Sequence, residues 1–259
     1  MSDNVIVKIK YLGGINMLNV NKELEIHNCE VYGLHQSIVA SGYAMSDDVT
    51  PPDFLEGIED GVGAFTYDND YKRAKKLGSR PTNSGHPCYL KGIIVQFDLK
   101  APEYIWRQMD RYHFIDFVTS QSKMHCLPKF ELDKMVNKWV SPVVLSEVQK
   151  YINWYNNFDE AKEKFKYLQL ADGSLVDFTK KNLYNMIVSN CPCGLLMTAR
   201  MTTNYLQLAN IRNQRKMHKM DEWHYFDQWI SDLPLFDELT GTKCEYPLLK
   251  RNEKGVLTK

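Results

Sequence analysis

The sequence predicts an α+β fold, a mixed sheet flanked by helices. Alternating strand patterns lie at residues 5–11 (VIVKIKY) and 92–99 (GIIVQFDL). Amphipathic helical patterning follows, with a long helix expected over 144–168. No internal repeat or linker divides the chain, so residues 1–259 read as a single domain.

Taken in order, the first strand at 5–11 has a candidate partner in 23–33. Asp47 to Ser84 is rich in Asp, Gly, Pro, Asn and Ser and reads as turns plus short helices. Gly61-Val62-Gly63 lacks the third glycine and the preceding strand of a dinucleotide fingerprint. Lys100-Ala101-Pro102 ends the strand at 92–99. Pro102 suits a first helical turn, where a missing N–H costs nothing, and Glu103 favours the positive helix end, so a helix is expected over 102–118. On it Arg107 and Arg111 would share a face beside Gln108. Two such cations repel unless an anion lies between them or carboxylates pair with them.

Beyond the 144–168 helix, Ala171-Asp172-Gly173 is a turn, and a helix over 176–190 stops near Pro192. Met201, Tyr205, Leu208 and Ala209 give 195–214 a helical period. On that helix Asn204 and Arg215, eleven residues apart, would share a face with Leu208 and Ile211. Such a face can grip a phosphate and a flat ring; it can equally be plain surface. Another helix, rich in Trp and His, is expected over 218–232, and the charged tail 248–259 reads as loose.

Composition excludes several classes. Lys+Arg and Asp+Glu both total 32, so the chain lacks the basic surplus of a general nucleic-acid binder. The N-terminus has no signal-peptide pattern, and no run approaches a membrane span. Six scattered cysteines in a chain of ordinary globular composition point to reduced thiols in a cytoplasmic setting. Cys191-Pro-Cys193 is too tight for the usual zinc spacing and has no second cysteine pair, so no metal site is expected.

Two blocks carry a family resemblance. The first runs through Gly85-His86, Phe97-Asp98-Leu99-Lys100-Ala101-Pro102, Arg107-Gln108 and Arg111. The second is Thr203-Asn204, Leu208, Asn210 and Arg215, with Pro192 leading into it. Together, over roughly 85–126 and 185–230, they resemble the flavin-dependent thymidylate synthases, whereas residues 1–84 match that family poorly. The family signature R-H-R-x-x-S-x-N-x-x-S-x-R opens on Arg111. Its histidine then falls on Tyr112, its second arginine on His113 and its first serine on Asp116. The asparagine falls on Val118, the second serine on Gln121 (Ser122 with a one-residue slip) and the last arginine on Lys123. The family's flavin-site histidine falls on Gly92 and a nucleotide-contacting arginine on Thr198.

The resemblance implies conversion of dUMP to dTMP, with methylenetetrahydrofolate as carbon donor and NADPH reducing a bound FAD. It implies a homotetramer with shared sites. Arg111 and His113 would be the catalytic positions, Arg111, Tyr112, Asn204 and Asn210 would face the cofactor, and Gln108, Gln121, Ser122, Lys123 and Arg215 the nucleotide. Arginine suits the task because its planar, permanently charged fork pairs with phosphate. The altered signature leaves two alternatives open: a catalytically silent nucleotide-binding relative, and one-carbon transfer to a different pyrimidine nucleotide.

Overall fold

The computed structural model describes residues 7–10, 17–47, 49, 62–65 and 68–259. Residues 5, 6 and 11 of the expected first strand, and 48, 50–61, 66 and 67 of the turn-rich segment, lie outside them. The N-terminal part holds β1 (Val7–Lys10), β2 (Leu18–Val20), β3 (Leu24–Tyr32), α1 (Leu34–Ala40), β4 (Val62–Phe65) and α2 (Asp68–Gly78). The middle holds β5 (Ile94–Pro102), α3 (Glu103–Met109), β6 (Asp116–Ser120), α4 (Lys123–Cys126) and α5 (Leu132–Met135). Then follow α6 (Pro142–Asn156), α7 (Phe158–Lys164), β7 (Tyr167–Gln169), β8 (Leu175–Asp177) and α8 (Lys180–Asn190). The chain closes with β9 (Leu196–Asn204), α9 (Tyr205–Arg215), α10 (Asp221–Ile230), α11 (Phe236–Thr240), β10 (Lys250–Arg251) and β11 (Leu257–Thr258).

The main sheet runs β10-β11-β2-β3-β5-β9-β6. Only the β11–β2 pairing is parallel, so the sheet is mixed, as the sequence predicts. β5 organises it. Val95, Phe97 and Leu99 are fully buried, while Gln96, Asp98 and Lys100 on the other face are partly open. This is the period-two alternation of a half-buried strand. Phe97 packs at 4.8 Å from Trp229 and 6.1 Å from Phe226, so α10 covers the apolar face. On the polar face Asp98 lies opposite Arg200, which donates to it at 3.2 Å and to the Asn28 carbonyl at 2.6 Å. Among the described residues no helix is long and apolar enough to cross a membrane.

Several expected elements are corrected. β1 pairs with β4, while 24–32 joins the main sheet instead. The helix expected to 118 ends at Met109, and the chain turns through Phe114 at φ 62° before pairing β6 with β9. Arg111 therefore stands in a turn, off the helix face of Arg107. The long helix breaks at Asn157 into α6 and α7, and its last residues enter the β7–β8 hairpin. That hairpin also takes the start of the expected 176–190 helix, which begins at Lys180 after the Thr179 cap.

The 195–214 segment is a strand followed by a helix. Met201 and Tyr205 misled because a spacing of four is also a multiple of two. Ala199, Met201 and Thr203 in fact alternate inward along β9. The tail is not loose: β10 and β11 form a hairpin, and Leu257 pairs with Leu18 at the sheet edge.

Candidate active site

The site forms where the end of α3, the turn after it, the end of α9 and the start of α10 converge. Asn204 starts this local geometry as the N-cap of α9, its side chain accepting from the Gln207 N–H at 2.9 Å. Asn204 thus lies before the helix and shares no helical face with Arg215. α9 buries Leu208 and Ile211 in the core and carries Arg212 and Arg215 in its last turn, where cations favour the helix dipole.

Arg215 donates from Nε to the Tyr112 hydroxyl at 2.6 Å and from Nη1 to Gln108 Oε1 at 3.2 Å. Its guanidinium lies 4.5 Å from the Trp223 ring centre and 5.3 Å from that of Tyr112. Trp223 Nε1 donates to the same Gln108 oxygen at 3.0 Å, and Gln108 Nε2 reaches Met220 Sδ at 3.3 Å. Every one of these partners is neutral. His218 flanks Trp223 at 6.1 Å between ring centres, and burial, then the charges of Arg215 and His224, hold its pKa below the usual histidine value.

Arg212, three residues earlier, is buried and fully neutralised. It donates to Asp227 Oδ1 at 2.5 Å, to Asp237 Oδ1 at 2.6 Å, to the Asp227 carbonyl at 2.9 Å and to Ser231 Oγ at 2.7 Å. This arginine ties α9 to α10 and α11.

The structure therefore brings Gln108, Tyr112 and Arg215 together. Arg111 and His113 are exposed in the adjoining turn, with no hydrogen bond or ion pair among the described residues. Asn210 is half-buried on α9 with an amide that makes no hydrogen bond among the described residues. Phe114, the next residue in that turn, holds a left-handed backbone that a bulky side chain seldom adopts, and its carbonyl accepts from Thr203 Oγ1 at 2.7 Å. The remaining expected residues bond elsewhere. Gln121 Oε1 accepts from the Thr198 N–H at 2.8 Å, Ser122 stands at the N-cap of α4 with its backbone carbonyl accepting from the Cys126 N–H at 3.0 Å, and Lys123 pairs with Glu103 at 3.1 Å. Sequence reasoning missed Trp223, Met220 and His218. Their one signal is the Trp- and His-rich patterning of 218–232, which does not say which ring meets Arg215.

No family model matches the sequence, and no curated protein matches it. Among solved structures, the chain is similar to the flavin-dependent thymidylate synthase of Helicobacter pylori complexed with FAD and dUMP. The identity is 12% and the TM-score 0.52, over 83% of this chain and 96% of that one. A second structure of thymidylate synthase X from the same organism, also with FAD and dUMP, gives the same identity and TM-score over 84% and 96%. At that identity the likeness shows the fold.

Proposed function

We propose that this chain is a flavin-dependent thymidylate synthase-like enzyme, converting dUMP to dTMP with methylenetetrahydrofolate and NADPH through FAD. The observation that carries the reading is Arg215, a half-buried guanidinium that, among the described residues, is oriented by neutral groups only. A positive charge held in place without a carboxylate partner is suited to a phosphate. Gln108 and Tyr112 fix the fork's direction, and His218 stays neutral near neutral pH, so it neither repels nor attracts the anion.

The residues present also fit a flavin dinucleotide. Arg111 and His113 offer donors that no group among the described residues uses, and Asn210 a half-buried amide. Phe114 and Phe117, 65% and 46% exposed, are apolar rings in and just beyond the same turn. FAD, when bound, supplies the redox chemistry. These residues would hold and orient it. The proposal keeps the whole chain as one unit that assembles as a homotetramer with shared sites.

A second reading, a nucleotide-binding relative without turnover, is favoured by Lys123 and Gln121, which are engaged with Glu103 and Thr198. Losing two charge-assisted contacts costs about 3–6 kcal/mol, roughly two to four decades in affinity or rate. One assay separates the readings: flavin retention by the purified protein, followed by tritium release from C5-labelled dUMP with folate and NADPH. Release supports the enzyme. Retained flavin and bound dUMP without release support the silent relative. Neither flavin nor dUMP binding overturns both. Parallel assays with dCMP and UMP test a different pyrimidine substrate.

A further inference from the structure

A second candidate site lies in the segment between β6 and β9, on elements that share no residue with the Arg215 cluster. Its frame is an aromatic cluster. Phe178 stacks against Phe158 at 5.7 Å and 12° and against Phe165 at 5.9 Å and 29°, and Trp154 backs Phe165 at 4.5 Å. These rings floor an open cleft of about 500 Å³ between α7, β8 and the start of α8. That volume lies in the ordinary range for small-ligand pockets.

The rim of the cleft is cationic. Lys162, Lys166 and Lys180 line it against a single carboxylate, Asp177. The surrounding segment has acids close by in sequence, Asp159, Glu160 and Glu163, yet none of the three lysines forms an ion pair among the described residues. Lys180 instead lies 5.6 Å from the Tyr155 ring centre and 5.8 Å from that of Phe158.

The helix that opens on the cleft adds to the field. α8 begins Lys180-Lys181 with no acid in its first turn, which places positive charge at the positive end of the helix dipole. Thr179 caps the Asn182 and Leu183 N–H groups, and those of Lys180 and Lys181 have no partner within the helix. An anion seated there relieves the repulsion. Phe165, 37% exposed, presents a ring beside it.

We propose that this cleft binds a nucleoside phosphate, the base stacked on Phe165 and the phosphate among Lys162, Lys166 and Lys180. Aromatic rings interleaved with lysines recognise a flat ring and an anion together, whether the nucleotide is free or lies within a single strand. The site stands independently of the reading of the Arg215 cluster.

The test is calorimetric titration of the full chain with AMP in the presence of saturating FAD and dUMP, repeated on Arg215→Ala. Saturable AMP binding in both is expected. Lys166→Glu combined with Lys180→Glu should weaken it by about tenfold or more, and Phe165→Ala should weaken AMP about threefold or more while leaving inorganic phosphate unchanged. All three substituted side chains are exposed, and an unchanged thermal midpoint verifies folding. A short adenine oligonucleotide that binds more tightly than AMP assigns a single strand as the source, and equal affinity assigns the free nucleotide. Absence of saturable AMP binding, or AMP binding that survives the charge reversal or is lost in Arg215→Ala, overturns the proposal.

Discussion

The two arginines in the last turn of α9 look into different regions of the molecule. Arg212 points into the junction of α9, α10 and α11, where Asp227 and Asp237 cancel its charge and Phe236 packs 5.0 Å from it. Arg215 points toward α3 and the following turn, where it meets a phenol, an amide and an indole. Three residues of helix separate a buried ion-pair hub from an oriented cation with no carboxylate partner among the described residues. The first has the chemistry of a structural joint, since two carboxylates on two elements converge on it. The second has the chemistry of an anion seat.

Four experiments break or sharpen that contrast. Arg212→Ala should give the largest effect, a loss of about 3–5 kcal/mol of stability, because it strands two carboxylates at a packed junction. A drop in thermal midpoint checks it, and an unchanged midpoint would remove the distinction between the two residues. Arg215→Ala should invert the pattern. Stability should change by about 1 kcal/mol or less, while dUMP affinity falls by roughly ten- to a hundredfold. Calorimetry on the same samples measures both quantities.

Tyr112→Phe removes one orienting hydrogen bond but keeps the ring. It should weaken dUMP binding through about 0.5–1.5 kcal/mol, with little change in unfolding. An affinity equal to wild type would show that the phenol does not direct Arg215.

The smallest effect concerns pH. His218 is held below its ordinary value of 6.5 by burial, then by Arg215 and His224. As pH falls past that value, the unfolded chain takes up a proton that the folded site resists. Its contribution to stability is therefore present above about 6.5 and declines as pH falls toward the depressed folded value. Arg215→Gln should raise the His218 pKa in an NMR titration, whereas a substitution at Asp237 should leave it nearly unmoved. Equal shifts from both would mean that the two regions are electrically one.

Much of the fold was legible because β5 announces itself. Val95, Phe97 and Leu99 alternate with Gln96, Asp98 and Lys100, and a helix starts at Glu103, with Pro102 ending the strand as its extended N-cap rather than standing in the first helical turn. Part of the candidate site was legible too, since the matched blocks contain Gln108 and Arg215, and Tyr112 stands where the signature has its histidine. Trp223, Met220 and His218 were not, because the meeting of Trp223 with Arg215 and of Met220 with Gln108 depends on how the start of α10 folds back against α3. Lys123 and Gln121 read as ligand-facing from their place in the pattern, but Glu103 and Thr198 already hold them.

The sequence by itself determined which segments have an apolar side and what functional groups α9 carries, because periodicity and residue chemistry are local properties. Only the tertiary structure decided that 196–204 is a strand, that the tail closes the sheet edge, and which of two neighbouring arginines is paired with carboxylates. Strand pairing and charge neutralisation depend on groups far away in the chain, and the distances that set them exist only after folding.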